Sequence, residues 1–564
     1  MTDLARRLAV ARGDELADVV VQGGKVFSVF TREWLDVDVA VVDGYVAGLG
    51  EYAGREVVHA EGKYVVPGFI DAHMHLESSK LLVDEFARLV LPMGTTAVVA
   101  DPHEIANVLG TDGVHWLADL CHDLPLDVYF MASSCVPASR FESPRRKLLP
   151  GDLEGLLRRR RVIGLAEMMN FPGVISGDPE ELAKLALESD HVDGHAPGVL
   201  GKDLQAYAGA GIRSDHELST VEEGRERLRA GMWVLIREAS AARNLEALLP
   251  LVGEFGTARM AFCTDDREPE HIAEEGHVNS IVRAAVAQGI EVEDALVMAT
   301  LNPATWHRLD HLGAVAPGYQ ADLLLLDDLG TFDPELVLKR GAPVVEIPKV
   351  PVPEWVKHTV RIEPVAVNDF QIEWPGGPAR VIGLVPGQIV TEALEEDPRV
   401  EDGMAVADPA RDLAKIAVIE RHHATGRVGL GLVRGFGLRT GAFASTVAHD
   451  AHNLVVVGMA DEDMAACASR LQEIGGGIVV SRDGAVRGEL ALPVAGLMSE
   501  EPVEDVVAAL ERLHALLREQ GVGDRAPFMT LSFLALSVIP ALKITDRGLV
   551  DVERFELVPL ACGQ

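Results

Sequence analysis

The length, composition and charge of this chain exclude several classes of protein. Its 564 residues exceed a single hydrophobic core, because cores stop growing at about 250–300 residues, so two or three domains are expected. The 87 acidic and 51 basic side chains give a net charge of −36, which repels nucleic acid and anionic membranes and suits a small neutral or cationic ligand. Five scattered cysteines, no signal-peptide pattern and no apolar run of about 18 residues predict a cytoplasmic protein without disulfides.

Short β-branched runs separated by glycine turns predict an antiparallel β-domain at the amino terminus. The runs cover residues 18–24, 37–42 and 45–50. A similar pattern of strands and turns returns at residues 312–327. We therefore predict one composite β-sandwich domain, formed by residues 1–67 together with residues 312–366.

Between these two flanks, residues 68–311 repeat an apolar run, a polar loop and an amphipathic stretch eight times. Such a repeat over about 240 residues is typical of an α/β fold, the (β/α)8 TIM-type barrel. Catalytic groups in these barrels lie at the carboxyl ends of the strands. The predicted strands end near His75, His103, Cys135, Glu167, His195, His216, Glu238 and Asp265, and all of these except Cys135 are His, Glu or Asp.

The last third of the chain mixes helical and strand patterns. A long amphipathic helix is predicted over residues 503–520, and glycine-rich turns lie at 426–441 and 475–477. We predict a third domain of the α/β class over residues 367–564.

His73 and His75 are two residues apart on the first predicted barrel strand. Side chains at this spacing point to the same face of a strand, so two imidazoles can share one metal ion. Alone, a His-x-His pair is only a modest signal for a metal site. The residues that precede it strengthen the signal.

The segment Pro67-Gly-Phe-Ile-Asp-Ala-His-Met-His75 resembles the metal-binding signature of the amidohydrolase superfamily. Four further barrel segments and one carboxyl-terminal segment are similar to the adenine deaminase family: residues 100–107, 165–170, 193–198, 214–217 and 441–453. The resemblance covers nearly the whole chain. It implies a purine base as the substrate and two divalent metal ions as cofactors.

The resemblance implies six metal ligands: His73, His75, Glu167, His195, His216 and Asp265. All are nitrogen or oxygen donors, which suit Mn²⁺, Fe²⁺ or Zn²⁺, and the resemblance favours Mn²⁺ or Fe²⁺. Many superfamily members bridge the two ions with a carboxylated lysine, but residues 161–170 contain none. We therefore expect the Glu167 carboxylate to be the bridge.

The activity implied by the resemblance is hydrolysis of adenine to hypoxanthine and ammonia in purine salvage. A hydroxide held between the two metals would attack C6, the atom that zinc adenine deaminases attack. Asp265 is expected to take the proton of the hydroxide and pass it on. The acid that protonates N1 is left open among Glu217, Glu238 and His103.

Several alternatives remain open from the sequence. An amino-sugar phosphate deacetylase also uses a glutamate at a comparable point, but the barrel loops show no Arg and Lys cluster for a phosphate. The alternative outside the enzymes is a non-catalytic barrel scaffold. The metal content of the purified protein would distinguish it, because a scaffold has no reason to hold two ions per chain. Large enzymes of this kind are commonly symmetric homo-oligomers. Besides adenine, the expected partners are therefore further copies of this chain.

A few polar residues have both a functional and a structural interpretation. His103 could orient substrate, bind an additional metal or brace its loop, and Arg237 could simply pair with Glu238. The cluster His449, Asp450, His452 and Asn453 could be a surface turn or part of a lid over the barrel mouth. His422 and His423 are expected at the surface.

Overall fold

The computed structural model describes residues 4–189 and 191–563, and a curled parallel sheet lies at the centre of its amino-terminal part. Residues 1–3, 190 and 564 of the predicted domains lie outside the described residues. Eight parallel strands form a ladder of five and a ladder of three: Phe69–Met74, Thr95–Ala100, Asp127–Ala132, Val162–Met168 and Val192–Gly194, then Ser214–Asp215, Trp233–Arg237 and Met260–Cys263. A parallel bridge between Met74 and Asp265 places the last strand beside the first.

These strands end within three residues of the positions predicted from the sequence. Nearly every residue in them is buried on both faces, which explains their continuous apolar runs. The helices that follow and cover the strands are Val83–Val90, His103–Leu109, Thr111–Leu120, Pro150–Leu157, Phe171–Ser176, Pro179–Leu185, Gly201–Gly209, Val221–Arg229, Leu245–Leu248, Pro250–Phe255, Pro269–Glu275, Val278–Ala287, Val292–Ala299 and Leu301–Trp306.

Two antiparallel-rich sheets flank the parallel strands, and the second of them combines strands that precede the parallel strands in sequence with strands that follow them. One contains Ala17–Gln22, Asp38–Val42, Tyr45–Gly50 and Gly54–His59, with helix Leu4–Ala11 packed on it. The other contains Lys25–Ser28, Glu33–Asp36, Tyr64–Pro67, Leu323–Leu326, Pro334–Lys339 and Ala342–Pro343. Leu324 pairs with Val66, so the two flanks share one sheet. The limits assigned to the three domains stay predictions.

The carboxyl-terminal part is mostly β, so the expected α/β character holds only in part. Its main sheet contains eight strands: Ala379–Leu384, Thr391–Glu396, Leu413–Ile419, Val428–Arg434, Ala442–Ser445, Leu454–Gly458, Gly477–Arg482 and Ala485–Ala491. Smaller sheets contain Ile372–Glu373, Arg399–Glu401 and Met404–Val406, and Leu542–Thr545, Gly548–Asp551 and Glu556–Val558. Helices Asp461–Ile474 and Val503–Glu519 pack against the main sheet, and helix Pro527–Phe533 follows them.

The amphipathic pattern predicted over residues 503–520 corresponds to helix Val503–Glu519. Its apolar side buries Val506, Leu510, Leu513 and Leu517. The same helix also contacts helix Pro269–Glu275, and His514 Nε2 lies 3.0 Å from Glu270 Oε1. The carboxyl-terminal sheet is thereby held near the carboxyl ends of the parallel strands. None of the described helices is long and apolar enough to cross a lipid bilayer.

Candidate metal centre

The six side chains predicted as metal ligands converge at the carboxyl ends of the parallel strands. We call His73, His75, Glu167, His195, His216 and Asp265 the ligand cluster, and each is at most 3% exposed. His73 and His75 leave the first strand where its register with the second shifts, between Asp71 and Met74. A bulge of this kind re-aims side chains next to active sites.

The Glu167 carboxylate lies between two pairs of histidines. Its Oε1 is 3.7 Å from His73 Nε2 and 3.4 Å from His75 Nε2. Its Oε2 is 2.8 Å from His195 Nδ1 and 3.3 Å from His216 Nε2. Each oxygen therefore faces one pair, which is the arrangement of a carboxylate that bridges two ions.

Several nitrogens of the ligand cluster have no hydrogen-bond partner among the described residues, although they are buried. These are both ring nitrogens of His73, Nε2 of His195 and Nδ1 of His216. Buried polar groups are normally paired, so these atoms indicate a ligand. In contrast, His75 Nδ1 lies 3.0 Å from the Asp101 carbonyl oxygen, a contact that leaves Nε2 facing the cluster.

Divalent metal ions fit this donor set. The triads His73, His75, Asp265 and His73, Glu167, His216 each bring three ligand atoms within 4.8 Å of one another. Imidazole and carboxylate donors without thiolate suit Mn²⁺, Fe²⁺ and Zn²⁺.

Asp265 is held in the cluster by two kinds of contact. Its Oδ1 lies 3.0 Å from His75 Nε2 and 3.6 Å from His73 Nε2, and its Oδ2 accepts a 2.8 Å hydrogen bond from Arg237. The backbone of Asp265 has a φ of 55°, which is uncommon for a residue other than glycine. Strained residues of this kind cluster at functional sites.

Arg237 joins Asp265 to Glu217. Its Nη1 contacts Glu217 Oε1, and its Nη2 donates a 3.1 Å hydrogen bond to Glu217 Oε2. Glu217 Oε1 is also 3.7 Å from both His195 Nδ1 and His216 Nε2. Glu217, an open candidate from the sequence, therefore lies beside the ligand cluster.

The electrostatics of the cluster favour carboxylates surrounded by positive charge. Burial opposes ionisation of Glu167, but His216 and His195 hold its pKa well below the usual range. Burial likewise opposes ionisation of Asp265, whereas the neighbouring imidazoles of His73 and His75 and the charge of Arg237 hold its pKa well below the usual range. Both groups are therefore anionic at neutral pH, as metal ligands must be.

One interpretation of the seventh strand is corrected by the structure. Arg237 does not pair with Glu238, because it reaches Glu217 and Asp265 instead. Glu238 Oε1 accepts a 3.1 Å hydrogen bond from the backbone N–H of Leu245, at the start of a short helix. The Glu238 carboxylate is therefore occupied outside the ligand cluster.

His103 lies between the ligand cluster and the carboxyl-terminal part of the chain. Its ring is 4.5 Å from that of His75, centroid to centroid, and its Nδ1 is 3.0 Å from Asp101 Oδ2. On the other side, its Nε2 is 3.6 Å from Asp450 Oδ1. His103 therefore lies between the parallel strands and the carboxyl-terminal sheet.

The segment 449–453 is buried, so the surface-turn interpretation is wrong. His449, Asp450, His452 and Asn453 are at most 4% exposed. His449 Nε2 lies 3.6 Å from Asp266 Oδ1, and His452 Nε2 lies 3.6 Å from Glu104 Oε2. The segment faces the carboxyl ends of the parallel strands.

The expectation for the pair His422 and His423 is wrong for the first and right for the second. His422 is 3% exposed, and its Nε2 lies 2.7 Å from the carbonyl oxygen of Ala451. His423 is exposed. A signal in the sequence could have found His422, since it follows a long buried strand, Leu413–Ile419, by three residues.

Comparison with known proteins agrees with this architecture. The family model described as the amidohydrolase family matches residues 64–365, and the one described as the adenine deaminase C-terminal domain matches residues 388–556. The chain is 48% identical to "Adenine deaminase 2" of Carboxydothermus hydrogenoformans, with 98% of each chain covered. This chain belongs to the adenine deaminase family. Its fold is that of an amidohydrolase, a superfamily that generally uses a divalent metal centre.

A second curated relative gives the same family. The chain is 46% identical to "Adenine deaminase" of Brucella suis, covering 97% of this chain and 95% of the relative. A crystal structure of an adenine deaminase covers 58% of this chain and all of its own, with 15% identity and a TM-score of 0.47. The family model of the C-terminal domain also spans the buried segment 449–453.

Proposed function

We propose that this protein hydrolyses adenine to hypoxanthine and ammonia, using two divalent metal ions. The observation that carries the proposal is Glu167, whose two oxygens each face a pair of histidines. The 48% identity to a named adenine deaminase over 98% of both chains supports adenine as the substrate. We further infer that the two parallel ladders form one closed (β/α)8 barrel, which the bridge from Met74 to Asp265 supports.

The ligand cluster would hold the two ions, with His73, His75 and Asp265 on one, His195 and His216 on the other, and Glu167 between them. Bound there, the ions would supply an activated water as the nucleophile at neutral pH. Mn²⁺ or Fe²⁺ is the proposed identity, with Zn²⁺ compatible. A symmetric homo-oligomer remains the proposed assembly.

The protein's own groups would move the protons that deamination requires. Asp265 is a carboxylate at neutral pH and faces His73 and His75, so it is placed to accept the proton of the attacking water. Arg237 fixes the other oxygen of Asp265 and so orients the carboxylate. Through the same guanidinium, Glu217 is positioned 3.7 Å from His195 and His216.

Glu217 is the proposed carrier of the proton for N1 of the purine. Of the three open candidates, Glu217 and His103 lie against the ligand cluster, whereas Glu238 binds the N–H of Leu245. Glu217 shares Arg237 with Asp265, so one guanidinium holds both carboxylates beside the ligand cluster. Addition at C6 removes ring aromaticity, and protonation of N1 offsets that cost.

An ammonia-release assay tests the proposal directly. The protein is stripped of metal, loaded with Mn²⁺ and offered adenine, adenosine, guanine and cytosine. Ammonia from adenine alone, with hypoxanthine as the product, is the expected result. Ammonia from another base in preference to adenine would assign a different substrate, and no ammonia from a fully loaded enzyme would overturn deamination.

A further inference from the structure

A second group of potential metal ligands lies where the carboxyl-terminal sheet meets the parallel strands. We call His103, His449 and Asp450 the interface cluster. Their ligand atoms lie within 4.8 Å of one another, and all three side chains are at most 2% exposed. His103 begins helix His103–Leu109, whereas His449 and Asp450 lie between strands Ala442–Ser445 and Leu454–Gly458. The group exists only in the assembled chain.

Asp450 is the least satisfied side chain in this group. Neither of its carboxylate oxygens has a hydrogen-bond partner among the described residues, and the residue is 1% exposed. Its Oδ1 is 3.6 Å from His103 Nε2 and 3.7 Å from His449 Nδ1, which is too long for hydrogen bonds. Burying a carboxylate without partners is costly, so something else must compensate its charge.

His103 is oriented as metal-bound histidines are. Its Nδ1 lies 3.0 Å from Asp101 Oδ2, and Asp101 in turn accepts a 2.8 Å hydrogen bond from Ser133. A histidine that binds metal through one nitrogen usually donates the N–H of the other to a carboxylate. His103 Nε2 is buried and has no hydrogen-bond partner among the described residues, and it points at Asp450.

The carboxyl-terminal residues of the cluster are also fixed in place. The backbone N–H of His449 donates a 3.0 Å hydrogen bond to Ser532 Oγ, and the ring stacks on Phe533 with centroids 4.9 Å apart. The nearby His422 contacts the Ala451 carbonyl oxygen. A rigid set of donors lowers the entropic cost of binding a ligand.

We propose that the interface cluster binds a third divalent transition-metal ion, outside the two-ion ligand cluster. Metal–ligand bonds of about 2.1 Å at tetrahedral angles place donor atoms about 3.4 Å apart, close to the 3.6 and 3.7 Å separations found here. Two imidazoles and a carboxylate form a donor set for Mn²⁺, Fe²⁺ or Zn²⁺. The inference does not depend on adenine being the substrate.

The test counts ions in the full-length protein, with Mn²⁺ as the only added ligand. Metal-free protein is equilibrated with Mn²⁺, freed of excess ion and analysed for metal, and its crystals are measured for anomalous scattering. Three Mn²⁺ per chain are expected, with one anomalous peak among His103, His449 and Asp450. Two Mn²⁺ per chain and no such peak would overturn the proposal.

Variants assign the third ion to its ligands. Asp450→Ala is expected to hold two Mn²⁺ per chain and to lose only the peak at the interface cluster. The matched control is Asp463→Asn, a buried carboxylate of the same part of the chain that accepts a 2.8 Å hydrogen bond from Gly484. It should keep three ions.

Retention of three ions in Asp450→Ala, or loss of the third ion in both variants, would contradict the assignment. If Asp450→Ala does not fold, the count and the anomalous peaks of the unmodified protein still decide. Because ions are counted without substrate, failure here is distinguishable from failure to deaminate adenine. A wild-type count of two with a raised KM for adenine in Asp450→Ala would assign Asp450 to the substrate instead.

Discussion

Two buried polar networks in this protein differ in whether their atoms have partners. In the first, which we call the Lys339 network, Lys339 donates to Thr96, Asp127 and Asp322 at 2.6–3.0 Å, and Gln320 donates to the same two carboxylates. No side-chain atom of this network is buried without a partner among the described residues. In the ligand cluster, by contrast, three histidines have buried ring nitrogens without a hydrogen-bond partner among the described residues.

The difference separates structure from function. The Lys339 network joins the third parallel strand to the flanking sheet, and Lys339 together with Arg340 offsets the charges of Asp127 and Asp322. The ligand cluster lies at the opposite ends of the strands and keeps donor atoms aimed at each other. Proteins rarely leave buried polar groups unpaired unless something else occupies the space between them, so the unpaired network is the one that we propose as the metal site.

The largest expected effect comes from the residue that faces both histidine pairs. Glu167→Ala should lose both ions and lower kcat/KM by at least about 10³-fold, because a metal ion contributes several kcal/mol to catalysis. Metal analysis and adenine kinetics measure this. Added bicarbonate should leave wild-type activity unchanged, since the bridge that we propose is the side-chain carboxylate of Glu167. Full metal content in Glu167→Ala, or activation by bicarbonate, would show that another group bridges.

Asp265→Asn separates proton transfer from metal binding within the ligand cluster. The amide keeps an oxygen donor and a similar volume but removes the base, so we expect most metal to remain. The kcat should fall by about 10²–10⁴, the usual contribution of a general acid–base group. The KM should change less, because the lost interaction belongs to the transition state. A loaded Asp265→Asn enzyme with more than about a tenth of normal kcat would refute the role.

Lys339→Met is the matched change in the paired network. It leaves the buried Asp127 and Asp322 without their shared cation, which should lower the free energy of unfolding by about 3–5 kcal/mol. Metal content and adenine turnover of the folded fraction should stay at the wild-type level. Denaturant unfolding with metal analysis measures both. Loss of metal with unchanged stability would reverse the distinction between the two networks.

The same network predicts a dependence of stability on pH. Burial raises the pKa of Asp127, but Lys339 and Arg340 outweigh it and bring the pKa to about 2. The pKa of an aspartate in the unfolded chain is about 3.9. The stabilising contribution of Asp127 is therefore complete above that pH and is lost as the pH falls towards 2. Unfolding measured between pH 5 and about 3 should show a smaller acid-induced loss of stability in Lys339→Met than in the wild type.

The ligand cluster could be predicted from the sequence because its signals are local. A buried run followed by a polar residue marks each strand end, and the motif at residues 67–75 resembles a known metal signature. The partners of Arg237 could not be predicted from the sequence. Adjacent residues of a strand point to opposite faces, which disfavours pairing with Glu238 but does not identify the true partners. The burial of residues 449–453 depends on contacts with distant segments such as Glu104 and Asp266, which local sequence patterns do not report.

The smallest effect is expected at Glu238, and it tests whether a strand-end glutamate is functional by position alone. Glu217 and Glu238 follow adjacent strands, Ser214–Asp215 and Trp233–Arg237, and both are candidates from the sequence. Only Glu217 lies 3.7 Å from His195 and His216 and shares Arg237 with Asp265. Glu217→Gln should therefore lower kcat by at least about 10²-fold, as expected for a group that transfers a proton.

Glu238→Gln keeps the side-chain oxygen that accepts the N–H of Leu245, so the start of helix Leu245–Leu248 is preserved. We expect kcat and metal content within about threefold of the wild type and a change in stability within about 0.5 kcal/mol, the range of substitutions away from special features. Removing the acceptor in Glu238→Ala should cost about 1 kcal/mol, as the loss of a helix cap does, again without an effect on turnover. Steady-state kinetics and denaturant unfolding of the three variants decide the point. A collapse of kcat in Glu238→Gln with normal metal and stability would mean that Glu238 reaches the substrate during turnover, and the N1 proton would then have to be reassigned from Glu217.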